Sequence, residues 1–216
     1  MKLFLWLICL PILALASLST WSLRHYLVND LDAFMPLYAG IGIFFLIDRF
    51  LLRLVGYNLN WLHTFHHEMS HIIAVLLAGG KVREFRVTDQ EGGHVLHQTS
   101  PRFKGMVALF PYSVPGLPLV SIALMPILSA DVLEIYKYIL GAFMGLYISS
   151  QIGDLRVKQT DWDYLGIPTS FLFIITSNIF FLGIIITSYM EDNFMGSLEY
   201  IHLLENSFYF IKQKIY

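Results

Sequence analysis

Five consecutive residues, His67-Glu68-Met69-Ser70-His71, carry the densest chemistry in this 216-residue chain. Residues four apart share one face of a helix, so His67 and His71 can present imidazole nitrogens to a single metal ion. Zinc takes imidazole nitrogen at about 2.0–2.1 Å and prefers four ligands. Two histidines, a carboxylate from elsewhere and a water complete such a set. Glu68, beside the first histidine, can take a proton from that water, whose pKa a metal lowers from about 15.7 toward about 7. The competing account has these side chains bonded only to one another, holding a helix bundle together. In a chain of this composition the pattern arises by chance about 0.01 times.

The surroundings of the motif sharpen its meaning. The chain is 56% hydrophobic and 14% charged, against about 25% charged in soluble domains. Six apolar runs, at about 3–21, 34–52, 57–79, 104–128, 133–153 and 167–189, each approach the roughly 20 residues that cross a bilayer as a helix. The motif falls near the middle of the third run, where an ionisable side chain costs at least about 2.5–3.5 kcal/mol and therefore needs a partner. The expected fold is an all-α polytopic membrane protein of about six transmembrane helices. It forms a single membrane domain over 1–216, with N-terminal helices in 1–56, a core at 57–180 and an amphipathic tail at 191–216 on the membrane surface. A net charge of −2 without a basic tract argues against nucleic acid. The one cysteine, Cys9, cannot form an internal disulfide. The first run fits a retained helix, although Lys2 and Ala14-Leu15-Ala16 before Ser17 also fit a cleaved signal peptide.

After the third run, Val82–Val87, Gly92-Gly93 and His94–His97 read as a short β-hairpin. With six spans, the hairpin side holds eight Lys/Arg (Arg24, Lys81, Arg83, Arg86, Arg102, Lys104, Arg156 and Lys158) against six opposite. That count puts the hairpin in the cytoplasm; a cleaved signal peptide, or Lys2 held inside, argues the reverse. Pro111, Pro115 and Pro118 either break the fourth helix and open a water path to the metal or simply kink it. Asn178, inside the sixth run, reads as interhelical glue. His63 and His66, with His67, match an H-x-x-H-H box of di-iron membrane oxidases, but His25, His94, His97 and His202 form no second box. His63 suits a donor behind the ligands or an interfacial residue, and His94 and His97 suit solvent. The third metal ligand must be a carboxylate at matching depth. Asp131 lies away from the hairpin, whereas Asp154, Asp161 and Asp163 lie on the side toward which His71 points.

These residues resemble the site-2 protease family of intramembrane zinc metalloproteases, in its compact bacterial form. The likeness runs through TFHHEMSHIIAVLLAGGKVREFRV, Gly92-Gly93, Pro111-Tyr112-x-x-Pro115, Gln159-Thr160-Asp161 before Gly166, Ser170 and Asn178. It implies Zn2+ held by His67, His71 and a late aspartate, with Glu68 as base. It also implies a three-helix core and a hairpin that serves as an edge for an extended substrate. The Leu-Asp-Gly signature of one branch is missing, so the late aspartate is either Asp161, in the Gln-x-Asp pattern, or Asp154, in Gly153-Asp154-Leu155. The implied partners are a membrane-embedded or membrane-proximal peptide and the bilayer, with a multi-pass location in a bacterial inner membrane. The alternatives are a non-proteolytic membrane metal protein and, with less support, a di-iron oxidase.

Overall fold

In the computed structural model, which describes residues 2–88, 92–154 and 160–215, the apolar runs are helices, as backbone groups in lipid require. α1 spans Lys2–Asn29, and α2 spans Leu31–Leu54 with a π-helical turn at Ile47–Leu51. α3 is Asn60–Leu77, followed by β1 (Lys81–Thr88) and β2 (Gly92–Gln98). Then come α4 (Lys104–Ser113), α5 (Gly116–Leu124), α6 (Ala130–Asp154), a 3-10 turn at Thr160–Tyr164, α7 (Ile167–Met190) and α8 (Gly196–Ile215). Arg156, Lys158 and Gln159, counted above for orientation or resemblance, lie outside the described residues.

The expected class stands: a polytopic helical membrane protein with a β-hairpin after the motif helix. Among the described residues, four or five candidate spans stand beside the six expected. Leu5–Leu23, α2, α6 and α7 are long and apolar enough to cross a membrane, and Lys104–Ser113 with Gly116–Ile127 adds a fifth if the bent pair is one span. The helix that drops out is α3. Its 18 residues measure about 27 Å, but four histidines, a glutamate and an asparagine dilute its apolar character.

Helix packing explains how so polar a helix is housed. α2 and α6 cross with backbones in contact: a Cβ on Gly141 would meet the Leu37 carbonyl oxygen, and one on Gly40 the Tyr138 carbonyl oxygen. Such small-residue crossings suit lipid, where close packing replaces the hydrophobic drive. α1 lies against α7, with Trp6 Nε1 donating to Thr169 Oγ1 at 3.1 Å. One apolar core joins Phe34 and Leu37 of α2 to Ile122, Leu140, Ile185 and Tyr200. The tail helix α8 docks on this body, since Tyr200 is fully buried over Gly183 and its hydroxyl lies 3.0 Å from Thr20 Oγ1. α3 has its own small core, where Ala74 and Val75 meet Val107 of α4 and Val82 of β1.

The hairpin is antiparallel, pairing Lys81 with Gln98 and Thr88 with Gly92, with an irregularity between Val82 and Glu84. It folds back along α3 instead of projecting beyond it. The Phe85 ring lies 6.0 Å from that of Phe65, and a Cβ on Gly93 would meet Glu68 Cγ at 2.5 Å and Thr64 Cγ2 at 2.8 Å. Only glycine lets β2 approach Glu68 this closely.

The α2–α6 crossing makes a testable demand. Gly141→Leu should lower stability by about 1–3 kcal/mol through overpacking, read as a lower melting temperature in detergent. An unchanged melting temperature would mean that the crossing yields without cost.

Candidate metal centre

The i,i+4 spacing places His67 and His71 on one face of α3, with ring centroids 5.0 Å apart. Each ring is oriented by its Nδ1. His71 Nδ1 lies 3.0 Å from the Val107 carbonyl oxygen. A carbonyl only accepts, so Nδ1 carries the proton and Nε2 is left with its lone pair. His67 Nδ1 lies 3.1 Å from Asp154 Oδ2, which holds that ring in the same sense. Both Nε2 atoms then face one carboxylate oxygen, Asp161 Oδ2, at 4.0 Å from His67 and 3.7 Å from His71.

Asp161 reaches this position because the 3-10 turn is tied down on both sides. Tyr112 Oη donates to Asp161 Oδ2 at 3.1 Å, and the Tyr112 ring meets Trp162 edge-on at 5.9 Å. Ser170 Oγ and the Gly166 amide both donate to the Trp162 carbonyl, at 3.0 Å and 2.9 Å. Gly166 takes φ 81°, a left-handed conformation suited to glycine, and the chain enters α7 from there. Burial works to raise the Asp161 carboxyl. In its imidazolium form His71 donates to the carboxylate and balances its charge, and with Tyr112 and His67 this outweighs burial and holds the group below the usual carboxylate range; the Nε2 proton is the one that a metal would displace. Asp161 is therefore anionic at neutral pH, the form that a cation site needs.

The proline-rich segment is a true break. Two helices meet at Val114–Pro115 with a 70° bend. Proline 115 has no N–H to offer the Pro111 carbonyl, and the Gly116 amide turns to Val114. The Pro111 and Tyr112 carbonyls are freed, and side chains from other helices satisfy them. Gln151 Nε2 donates to Pro111 O at 2.9 Å. Asn178 Nδ2 donates to Tyr112 O at 2.8 Å, with Tyr147 Oη at 3.2 Å from the same oxygen and 2.8 Å from Asn178 Oδ1. Asn178 is thus interhelical glue, and it holds the backbone of the residue that binds Asp161.

Does this arrangement suit a metal? Two donors on one zinc, each within about 2.0–2.2 Å, can be no more than about 4.4 Å apart. The His67–Asp161 and His71–Asp161 separations meet that limit, and the donor atoms of the three residues lie within 4.8 Å of one another, so that the set needs at most a few tenths of an ångström of closure to meet on one ion. Two imidazoles and a carboxylate are also a donor set that zinc accepts. Asp154 is at the site as well, but on the Nδ1 side of His67. Asp131 is exposed at the start of α6, and Asp163 is absent from the cluster.

The H-x-x-H-H pattern does not converge. His63 is 2.8 Å from Ser150 Oγ and 3.3 Å from Asp48 Oδ1, while His66 is buried beside Tyr147. Two clefts, of about 500 and 540 Å3, meet at His67, Glu68 and Gly93. One extends along β2 past His94 and His97, which are therefore cleft residues and not merely solvated. Burial, then the charges of His71 and Lys104, lower the His97 pKa. The sequence reading did not find Tyr112 as the partner of Asp161, nor the Asp48–His63–Ser150 cluster. Tyr112 was visible only as a member of the Pro-Tyr-x-x-Pro pattern.

A family model described as Peptidase M50B-like matches residues 36–127, which include the motif, the hairpin and the helix break but stop short of Asp154 and Asp161. The match supports a site-2 protease-like family, as the motif residues suggested. No curated protein and no solved structure matches the chain.

The helix break predicts a stability effect. Asn178→Leu removes a donor to the Tyr112 carbonyl and a partner of Tyr147, and should cost about 1–3 kcal/mol. Thermal unfolding in detergent checks this; wild-type stability would mean that the freed carbonyl does not depend on Asn178.

Proposed function

We propose that the chain is a zinc-dependent intramembrane peptidase of a bacterial inner membrane, hydrolysing peptide bonds in or near the bilayer. The observation that carries this reading is the convergence of His67 Nε2, His71 Nε2 and Asp161 Oδ2 beside Glu68, where two clefts meet. His67, His71 and Asp161 are the proposed ligands. Asp154 and the Val107 carbonyl orient the two rings from behind. When bound, zinc supplies Lewis acidity, polarising the scissile carbonyl and acidifying a water.

The remaining work falls to the chain's own groups. Glu68 lines both clefts and takes the proton from the attacking water, then returns it to the leaving amine. Gly93 lets the β2 backbone come against Glu68. The outer edge of β2 can then hold a peptide extended by β-augmentation, with its carbonyls accessible, which a helical segment would hide. Tyr112 keeps Asp161 aimed at the histidines.

Two tests bear on this reading. Glu68→Gln keeps the shape of the side chain but cannot act as a base, so zinc content should persist while peptide turnover falls at least about 100-fold. Normal turnover in that variant, or no peptide hydrolysis by the zinc-loaded wild type, would leave a non-proteolytic metal protein as the better account. The second test compares the aspartates by zinc titration. Asp154→Asn should weaken zinc about 10–100-fold, the usual effect of losing a group behind a ligand, and Asp161→Asn should weaken it further. The opposite ranking would exchange their roles.

A further inference from the structure

The cleft of about 500 Å3 that starts at His67 and Glu68 ends in a different kind of chemistry. Its wall also carries Arg49, Asn60 and His63, all able to donate hydrogen bonds. Arg49 and the neighbouring Asp48 sit on the π-helical turn of α2, a distortion that recurs at functional sites. Both turn inward from that span. Asp48 is 5% exposed and accepts Ser149 Oγ at 2.9 Å while facing His63. Arg49 Nε lies 3.1 Å from Asp48, and its Nη2 donates to Ser149 Oγ at 2.7 Å. The guanidinium is thus fixed from behind. Nη1 has no protein partner among the described residues, and the side chain stays 29% exposed at the cleft wall. A buried ion pair alone would need no cleft, and an ionisable group inside a span is otherwise a liability. A guanidinium held in one orientation with donor atoms open to a cleft matches a carboxylate.

We propose that Arg49 is the recognition group for a carboxylate on the peptide, and that this carboxylate lies two or three residues from the bond cleaved. This rests on the peptidase reading above. The spacing comes from one helical turn of about 5.4 Å between His67 and His63, then the two short contacts through Asp48. Laid end to end, with the width of the carboxylate between them, they keep the guanidinium within about 14 Å of His67, a reach of up to about three residues of extended chain at about 3.3 Å each plus the acidic side chain itself. The carboxylate comes from an acidic side chain or from a free C-terminus.

The experiment uses zinc-loaded full-length protein in detergent and a set of apolar peptides with amidated C-termini. Each carries one Glu, Gln or Lys at two or three residues on either side of the central bond. One more set carries Gln there and ends at that position in a free carboxylate. Cleavage is followed by mass spectrometry, and binding to Glu68→Gln by fluorescence. Glu should exceed Gln about tenfold or more at one of these positions, and an equal gain in the free-acid set would assign the terminus as the source. The Glu-over-Gln ratio should fall to unity in Arg49→Gln, persist in part in Arg49→Lys, and turn in favour of the Lys peptide in Arg49→Glu. No preference for either carboxylate in wild type, or a preference retained in Arg49→Gln, overturns the inference, as does failure to bind any peptide. Arg49-dependent binding without cleavage would sink the peptidase reading alone, and cleavage without the preference would sink this inference alone.

Discussion

The structure turns on how two histidine rings are held. His67 and His71 each commit Nδ1, to Asp154 and to the Val107 carbonyl, and both Nε2 atoms are thereby aimed at Asp161. A free imidazole can offer either nitrogen. Only rings fixed by a second hydrogen bond present a defined pair of donors. Everything that keeps α3 against α4 and α6 therefore supports the site, from the Val75–Val107 contact to the His63–Ser150 and His67–Asp154 pairs one turn apart.

The second requirement is a break in a helix. The backbone at Pro111–Pro115 gives up regular hydrogen bonds, which is tolerable at depth only where protein groups replace them. Gln151, Tyr147 and Asn178 do so. Tyr112 is then held firmly enough to grip Asp161 and meet Trp162 edge-on. A stability feature of the membrane fold and a feature of the candidate metal site are here the same residues.

Much of this was legible in the sequence. The His67-Glu68-x-x-His71 spacing, the hairpin, the helical class and the bonding role of Asn178 follow from periodicity, turn residues and the cost of polar groups in lipid. Beyond the Gln-x-Asp pattern, what favours Asp161 over Asp154 was not legible, because it depends on a turn whose anchors, Tyr112 and Ser170, are distant in the chain. Nor was the Asp48–Arg49–His63 cluster, whose members meet Ser149 and Ser150 about 100 residues away. The hairpin's return along α3 escaped notice for another reason: a loop's polarity says which groups it carries, not where the strands lie. α3 falls below the hydropathy of the other spans because the residues of the candidate site also make it polar.

The most direct measurement is zinc K-edge X-ray absorption on the purified full-length protein. The account predicts one zinc per chain with nitrogen and oxygen neighbours only, at about 2.0–2.2 Å, and imidazole scattering reduced in His71→Ala. Sulfur in the coordination shell, a pair of irons in place of zinc, or an unchanged spectrum in His71→Ala would contradict it.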